Sequence, residues 1–466
     1  MPTAQEALLN QAAARAIAYL EGLDDRSVAP DARADLQALG GQLPDGPSDP
    51  SEVLRLLVDA VEPATMAIAG SRFFGWVFGG SYPVGLAADW LTSAWDQNTA
   101  FGDATPGTIA VEAAALRWVI EAAGLPHGSW GAFATGTTLA NAAALATATT
   151  SVLGRLGWDV VADGLFGAPP VTVVVGEEVH SSLVKALGLV GLGRSRVVRV
   201  PVDDQGRMRA ELLPRLEGPA IVCLQAGNVN TGSFDPMDEI VTAAHDMGAW
   251  VHIDGAFGFW AAASPQYSHL TAGMERADSW ATDAHKYLNV PYDAGLYLVR
   301  DPSALERTMS VSAAYLPEGE IGRDPILYTL ELSRRARGVP TWAVLRTLGR
   351  SGLAELVERT CGLARSFADQ LARAGCEVLN DVVLNQALIS FGDTETTSRV
   401  VKAVQGEGTL FVSPTVWQGR TAMRISVSSW KTTQTDIDRS VEAVLRCWER
   451  VRASQSATEP GAARAV

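Results

Sequence analysis

Ser279-Trp-Ala-Thr-Asp-Ala-His-Lys-Tyr-Leu-Asn289 is the stretch that decides how this chain is read. Lys286 stands at its centre behind His285, and Asn289-Val-Pro291 follows. A short apolar run leads in, so the lysine is expected in a loop at the end of a strand. From such a loop its amine can form an imine with an aldehyde. A lone lysine is most often a solvated surface charge. The weight of Lys286 therefore depends on what else in the chain could hold an aldehyde cofactor.

Bulk properties bound the possibilities. The 466 residues are 47% hydrophobic and 19% charged, with 44 glycines, an ordinary globular composition. That length suits a large domain with a smaller one, and a core that needs no staples. The formal charge of −15 argues against nucleic acid or an anionic membrane as the main partner. The four cysteines, Cys223, Cys361, Cys376 and Cys447, form no CxxC pair and read as free thiols of a reducing cytosol. The six histidines show no metal-ligand spacing, so no metal site is expected. The first residues lack a basic n-region and an apolar run, and no apolar stretch is long enough to span a bilayer. A cytoplasmic protein is expected.

Residues 4–21 repeat Leu9, Ala12, Ala13, Ala16, Ile17 and Leu20 at three- and four-residue steps, which predicts an amphipathic helix closed by Gly22. A second helix is expected over 51–61 with Ser51 as its N-cap. Ser71-Arg-Phe-Phe-Gly-Trp-Val-Phe-Gly-Gly80 interleaves aromatics with glycines. That pattern suits a loop lining a pocket and equally suits aromatics plugging the core edge. Phe73, Phe74, Trp76 and Phe78 are thus candidate pocket walls. A helix is expected over 108–123.

Gly131-Ala-Phe-Ala-Thr-Gly-Thr-Thr-Leu-Ala-Asn141 runs into an alanine-rich helix to about residue 150. Gly136 lets a ligand approach the backbone closely, and Thr137 and Thr138 begin the helix. Free N–H groups and the positive end of the helix dipole make this a candidate phosphate cradle, with a plain N-cap as the other reading. Thr137 stands where a P-loop needs lysine, which counts against a nucleoside triphosphatase.

From there, strands at 171–175, 197–202, 220–224, 250–253 and 295–299 alternate with helices at 181–189, 211–216 and 236–247. The alternation argues for an α/β fold with a mainly parallel sheet covered by helices on both faces. Ligands bind such sheets at the carboxyl ends of the strands. His180, Asn228 and Asp254 all fall there. Beyond about residue 330 the texture changes to a helix at 341–371, strands at 377–379, 387–391 and 423–427, and a closing helix at 433–451 capped by Thr433. The expected organisation is an N-terminal helical segment (1–60), a large domain (61–330), a small α+β domain (331–452) and a disordered tail (453–466).

A cradle at Gly136–Thr138, His180, Asp254 followed by Gly255 and Ala256, and Lys286 together supply what pyridoxal phosphate needs. A carboxylate keeps the pyridine nitrogen protonated, a lysine carries the aldehyde, and a helix start takes the phosphate. A flat side chain covers one ring face and a small one leaves room on the other.

On these residues the chain resembles the group II pyridoxal-phosphate decarboxylase family, which includes aromatic amino-acid, histidine and glutamate decarboxylases. The resemblance runs from about Phe73 to Trp430. It is carried by Phe133-Ala-Thr-Gly-Thr-Thr-Leu-Ala-Asn141, His180-Ser-Ser-Leu-Val-Lys-Ala186, Gly227-Asn-Val-Asn-Thr-Gly-Ser-Phe-Asp-Pro236, Trp250-Val-His-Ile-Asp-Gly-Ala-Phe-Gly258 and Asp283-Ala-His-Lys-Tyr-Leu-Asn289. It implies the aspartate-aminotransferase-like fold type I, with a mainly parallel seven-stranded sheet. It also implies a homodimer with active sites at the interface, pyridoxal 5′-phosphate as cofactor, and decarboxylation of an amino acid to the amine and carbon dioxide. By the same resemblance, Lys286 is the Schiff-base lysine and His285 its phosphate-contacting neighbour. Asp254 is the partner of the pyridine nitrogen, Ala256 the small residue against the ring, and His180 the stacked histidine that can also act as an acid or base. Gly136, Thr137 and Thr138 hold the phosphate, Asn228 belongs to the cofactor shell, and Arg424 can receive a substrate carboxylate.

The chain also departs from the family. Asn228 replaces a frequent threonine, and Gly70-Ser71 replaces a His-Pro before the aromatic pair. The mobile-loop tyrosine that protonates the carbanion has no secure counterpart near Pro325, where Tyr315 and Tyr328 are the nearest tyrosines. Transamination, aldehyde formation or a non-catalytic role therefore stand as alternatives at this point, and the substrate side chain is open.

Overall fold

Near-continuous apolar runs such as Val173–Val175 and Ile221–Leu224 are fully buried, as strands covered on both faces must be. The computed structural model describes residues 3–311 and 324–456. Helices α1 (Ala4–Glu21) and α2 (Pro50–Val61) come first. Thr3 and Glu6 close a reciprocal capping box on α1. The cap of α2 is Asp49 rather than the expected Ser51. Its carboxylate accepts from the Ser51 and Glu52 N–H groups, and Pro50 takes the first helical position, where no N–H is needed. Helix α1 buries no residue and α2 only Ala60, which leaves Leu9, Ile17, Val53 and Leu57 exposed. Helix α3 (Pro83–Trp95) has no clear periodic signal, since Trp90, Leu91 and Trp95 remain exposed. Helix α4 (Pro106–Ala122) follows.

The large sheet is built from β1 (Trp130–Ala134), β2 (Thr172–Gly176), β3 (Val198–Val200), β4 (Ala220–Gln225), β5 (Trp250–Asp254), β6 (Ser279–Asp283) and β7 (Gly295–Val299). Between and after these strands come α5 (Thr137–Gly154), α6 (Val160–Asp163), α7 (Ser181–Leu189), α8 (Met237–Asp246) and α9 (Pro302–Met309). The spatial order is β1-β7-β6-β5-β4-β2-β3. Neighbours from β3 through β6 are parallel, and β7 runs antiparallel to both β6 and β1. This is the seven-stranded, mainly parallel α/β arrangement expected. The helix expected over 211–216 is only a 3-10 turn at Ala210–Leu212.

Helix α10 (Gly338–Arg373) bends at Gly349, whose φ of 59° leaves the helical region. Residues such as Val344 and Val357 join the core of the large sheet, whereas Phe367 and Leu371 join that of the small one. The small sheet holds β8 (Glu377–Val378), β9 (Gln386–Ser390), β10 (Ser413–Trp417) and β11 (Arg420–Ser426), in the order β10-β11-β9-β8 and antiparallel throughout. Strand β10 was not expected. Its Pro414 is tolerated because β10 is an edge strand. Helix α11 (Thr394–Glu407) lies against this sheet, and α12 (Gln434–Ser456) packs on α10 and α11. Residues 453–456, expected in a disordered tail, continue α12 as helix, while Tyr315 and residues 457–466 lie outside the described residues.

Candidate active site

The loop between β6 and β7 is held from both sides. The His285 N–H donates to the Ala294 carbonyl at 3.1 Å, and the Asn289 N–H to the Lys286 carbonyl at 3.1 Å. Asn289, with φ of 56°, donates through Nδ2 to the carbonyls of Tyr287 (2.8 Å) and Ser428 (2.9 Å). Its Oδ1 accepts from the Trp430 N–H at 3.0 Å. The loop is thereby tied to the small domain. Gly79 backs onto it so closely that a Cβ there would lie 1.9 Å from the Lys286 carbonyl oxygen. With its main chain fixed in this way, Lys286 places Nζ 2.9 Å from Asp283 Oδ2.

Asp283 ends β6 and faces the start of α5. Its Oδ1 accepts from the Thr137 N–H at 2.7 Å. His285 Nε2 lies 3.6 Å from the same oxygen. Burial raises the Asp283 pKa, but the charges of Lys286 and His285 and the Thr137 N–H outweigh it, so the carboxyl sits below its ordinary value. His285 accepts from the Ala294 N–H through Nδ1 at 3.0 Å and stacks on Tyr292 with centroids 4.2 Å apart. Burial is the largest influence on its imidazole and lowers the pKa. Thr137 Oγ1 is buried without a hydrogen-bond partner among the described residues. Gly136 faces His285 and Asp283 across the cradle, where a Cβ would lie 3.4 Å from His285 Cε1 and 3.6 Å from Asp283 Oδ1.

Asp254 ends β5 and is 5% exposed. Its Oδ2 accepts from Asn141 Nδ2 at 3.0 Å and its Oδ1 from the Ala256 N–H at 3.3 Å. Burial raises its pKa, and His180, Asn141 and Lys286 oppose that rise. His180 is the N-cap of α7, with Nδ1 accepting from the Ser182 N–H at 3.2 Å. It is thus a helix cap and a site residue at once. Burial lowers its pKa, while the charges of Asp254, Lys286, Arg424 and Asp283 all reach it. The structure therefore gathers His180, Asp254, Asp283, Lys286 and Arg424 into one cluster.

Asn228 Oδ1 accepts from the N–H groups of Asn230 (2.9 Å) and Thr231 (3.3 Å). Its Nδ2 is buried without a partner among the described residues. Arg424 lies on β11 and is 8% exposed. Its Nη1 donates weakly to Asn230 Oδ1 at 3.4 Å, and its Nε has no partner among the described residues. Burial pushes this guanidinium down to about 10, still charged at neutral pH.

The aromatic candidates separate. Phe74 is fully buried and edge-on to Phe367 in the small-domain core. Phe73 is buried between Phe411 (centroids 5.0 Å) and Phe78 (5.8 Å). Both are fixed because this segment bonds to the small domain, through Phe74 N–H to the Phe411 carbonyl and Ser426 N–H to the Phe74 carbonyl. The structure thus places Phe73 and Phe74 in packing, whereas Trp76, 44% exposed, faces solvent and Phe78 is half-buried. Phe78 continues the wall edge-on to Tyr292. Pro325 opens a buried turn, and the Tyr328 carbonyl accepts from the Tyr297 hydroxyl.

Asp283, Asn141, His252 and Asn289 were not singled out from the sequence. The signals were nonetheless present. Asp283 lies three residues before Lys286, and Asn141 lies one helical turn beyond Thr137. His252 lies two residues before Asp254 and so on the same face of the strand.

The residues present fit pyridoxal phosphate. Partnerless buried donors at Thr137 Oγ1 and Asn228 Nδ2, an open glycine cradle at a helix start, a buried carboxylate and a lysine amine are the groups its phosphate, ring and aldehyde require. Residues 39–391 match the family model described as the pyridoxal-dependent decarboxylase conserved domain. The acidic amino acid decarboxylase GADL1 of Mus musculus is 30% identical over 72% of this chain and 62% of its own length. The chain thus spans a little under two thirds of that relative. The aromatic-L-amino-acid decarboxylase of Bacillus atrophaeus is 26% identical over 84% of each chain. Among solved structures, Oryza sativa TDC with PLP and tryptamine superposes with a TM-score of 0.87 at 22% identity, covering 96% of this chain and 98% of that one. Mouse CSAD superposes at 0.88 with 22% identity, covering 96% and 99%. At these identities the two structures establish the fold.

Proposed function

Because the chain belongs to the pyridoxal-dependent decarboxylase family, we propose that it removes the carboxyl group of an α-amino acid as carbon dioxide and releases the amine. The observation that carries this reading is the convergence of Lys286, Asp254 and His180 at the carboxyl ends of parallel strands, beside the start of α5. Pyridoxal 5′-phosphate, when bound, supplies an aldehyde that condenses with amines and a protonated ring that takes up the electron pair left by the departing carboxyl group.

The residues of the chain do the rest. Gly136, Thr137, Thr138 and His285 would hold the phosphate. Asp254 would hold a proton at the ring nitrogen, with His180 against one ring face, Ala256 against the other and Asn228 Nδ2 as a buried donor nearby. Lys286 Nζ would carry the aldehyde and, once exchanged for the substrate amine, is free to move a proton. Arg424 suits a carboxylate through two parallel hydrogen bonds. Transamination and aldehyde formation are not favoured, because the family and the relatives above are decarboxylases.

We read the working form as a homodimer with its sites at the interface. The exposed Leu9, Ile17, Val53, Leu57, Trp90 and Leu91 are the apolar surface a second copy would cover. A monomer in sedimentation at micromolar concentration would refute this. Among the described residues no helix is long and apolar enough to cross a membrane. The four cysteines are free and buried, which suits a reducing compartment, and we place the chain in the cytoplasm.

The deciding experiment reconstitutes the protein with pyridoxal phosphate, supplies amino acids one by one, and measures carbon dioxide and amine. Equal yields are expected; stoichiometric keto acid or ammonia would sink the assignment. Lys286→Ala should lose the visible absorption band of the bound cofactor and about a thousandfold of the rate.

A further inference from the structure

Behind Asp254 runs a buried line of side chains. The Trp250 indole N–H donates to Ser279 Oγ at 2.8 Å. Ser279 Oγ lies 2.9 Å from His252 Nδ1, and His252 Nε2 lies 2.9 Å from Asn141 Oδ1. Asn141 Nδ2 then donates to Asp254 Oδ2 at 3.0 Å. Asn141, His252 and Ser279 are wholly buried, and Trp250 and Asp254 nearly so. The line crosses three elements. His252 and Ser279 are partners across the β5–β6 ladder, and Asn141 reaches them from α5.

The direction of this line follows from its chemistry. An indole N–H can only donate, so Ser279 accepts from Trp250 and its own hydroxyl proton goes on to His252 Nδ1. Burial pushes the His252 pKa down to about 3, so the ring is neutral, and with Nδ1 accepting from Ser279 its one proton belongs on Nε2. That proton goes to Asn141 Oδ1, which turns the amide Nδ2 toward Asp254. The reverse direction would need a protonated Asp254 and would leave the Ser279 hydroxyl proton without an acceptor among the bonds of the line. A buried donor left unmade costs more than the same bond contributes when made, so the line settles in the first direction.

We propose that Trp250, Ser279, His252 and Asn141 are positioning residues that deliver a hydrogen bond of fixed direction to Asp254 Oδ2, keeping this buried carboxylate an ionised acceptor able to hold a proton at the ring nitrogen of the cofactor. The inference rests on the cofactor assignment under Proposed function. It explains why a wholly buried strand residue two places before Asp254 is a histidine, and why the fifth residue of α5 is an asparagine amid alanines.

The test compares wild type with Asn141→Leu, His252→Leu, His252→Gln and Trp250→Phe. Each is purified, stripped of cofactor and titrated with pyridoxal phosphate, followed by cofactor absorbance. Thermal midpoints of the stripped proteins and the steady-state kcat and KM of the loaded ones are measured alongside. Asn141→Leu should raise the cofactor dissociation constant about tenfold and lower kcat with little change in KM, since a hydrogen bond to a charged group is lost, and His252→Leu should do the same by about fivefold, since the amide that bonds Asp254 loses the partner that orients it. Trp250→Phe, which deletes the N–H together with part of the ring, should raise that constant about threefold, with the thermal midpoint reporting the packing loss separately. His252→Gln keeps an N–H for Asn141 and should bind cofactor more tightly than His252→Leu. Unchanged cofactor affinity and kcat, with only the thermal midpoint lowered, would reduce the line to packing and overturn the proposal. Should the leucine variants fail to fold, the Trp250→Phe affinity decides by the same measure. A wild type that binds no pyridoxal phosphate would overturn both this inference and the reading it rests on.

Discussion

Lys286 Nζ lies 2.9 Å from Oδ2 of Asp283, three residues back along the chain. The other oxygen of that carboxylate takes the Thr137 N–H at 2.7 Å. One buried side chain thus ties the lysine to the start of the helix proposed to hold the phosphate, and its charge is shared between them.

Asp283→Asn tests that tie. The folded-state pKa of Asp283 lies below its reference of 3.8: burial raises it, but Lys286 and His285 pull it lower still. Its contribution to stability is therefore present above that reference and is lost as pH falls through the lower folded value. The thermal midpoint of wild type should fall more steeply below about pH 4 than that of Asp283→Asn. Parallel acid limbs would contradict the assignment.

His180 should set an acid limb on activity. Burial pushes its pKa below 6.5, so the neutral form persists at physiological pH and protonation begins only at lower pH. The acid limb of kcat/KM should lie below pH 6.5. His180→Gln should remove it and cost about a hundredfold in rate. A wild-type limb above that value would count against this role.

Arg424→Gln should act on substrate rather than cofactor. Among the described residues the Nε of the guanidinium has no partner, and Nη1 makes a long bond to Asn230. Its loss should raise KM about tenfold or more, with the cofactor dissociation constant unchanged. If cofactor binding weakens and KM stays constant, the carboxylate-receptor role is wrong.

Gly79→Ala should displace the lysine loop. A Cβ at Gly79 meets the Lys286 carbonyl oxygen at 1.9 Å, whereas one at Gly22 meets nothing within 4 Å. Calorimetry should show a loss of about 1–3 kcal/mol for Gly79→Ala and almost none for Gly22→Ala. Cofactor affinity should fall only in the first variant.

Much of the fold was legible because its physical signals are local. Ser181–Leu189 forms a helix over the span expected, and the strands at 220–225 and 250–254 follow the buried apolar runs. Helix α3 escaped because its exposed Trp90, Leu91 and Trp95 trace no single buried face. Strand β10 escaped because Pro414 argues against a strand unless its edge position is known. The Asp49 cap of α2 was missed by two residues because Asp49 and Ser51 are both good caps, and only the backbone geometry selects between them.

The site divides in the same way. Lys286, Asp254, His180 and the Gly136–Thr138 turn were readable from the sequence because each stands at the end of a strand or the start of a helix, where local pattern marks the place. The sequence by itself determined the order of elements, the family resemblance and these marked positions. Only the tertiary structure decided that Asn141 meets Asp254 across 113 residues, that Asp283 faces Thr137 across 146, and that Phe73 and Phe74 turn into packing while Trp76 faces out. Such contacts depend on sheet order, strand register and the seating of α5 on β5 and β6. Those are properties of how elements pack against one another, and no short window of sequence contains them.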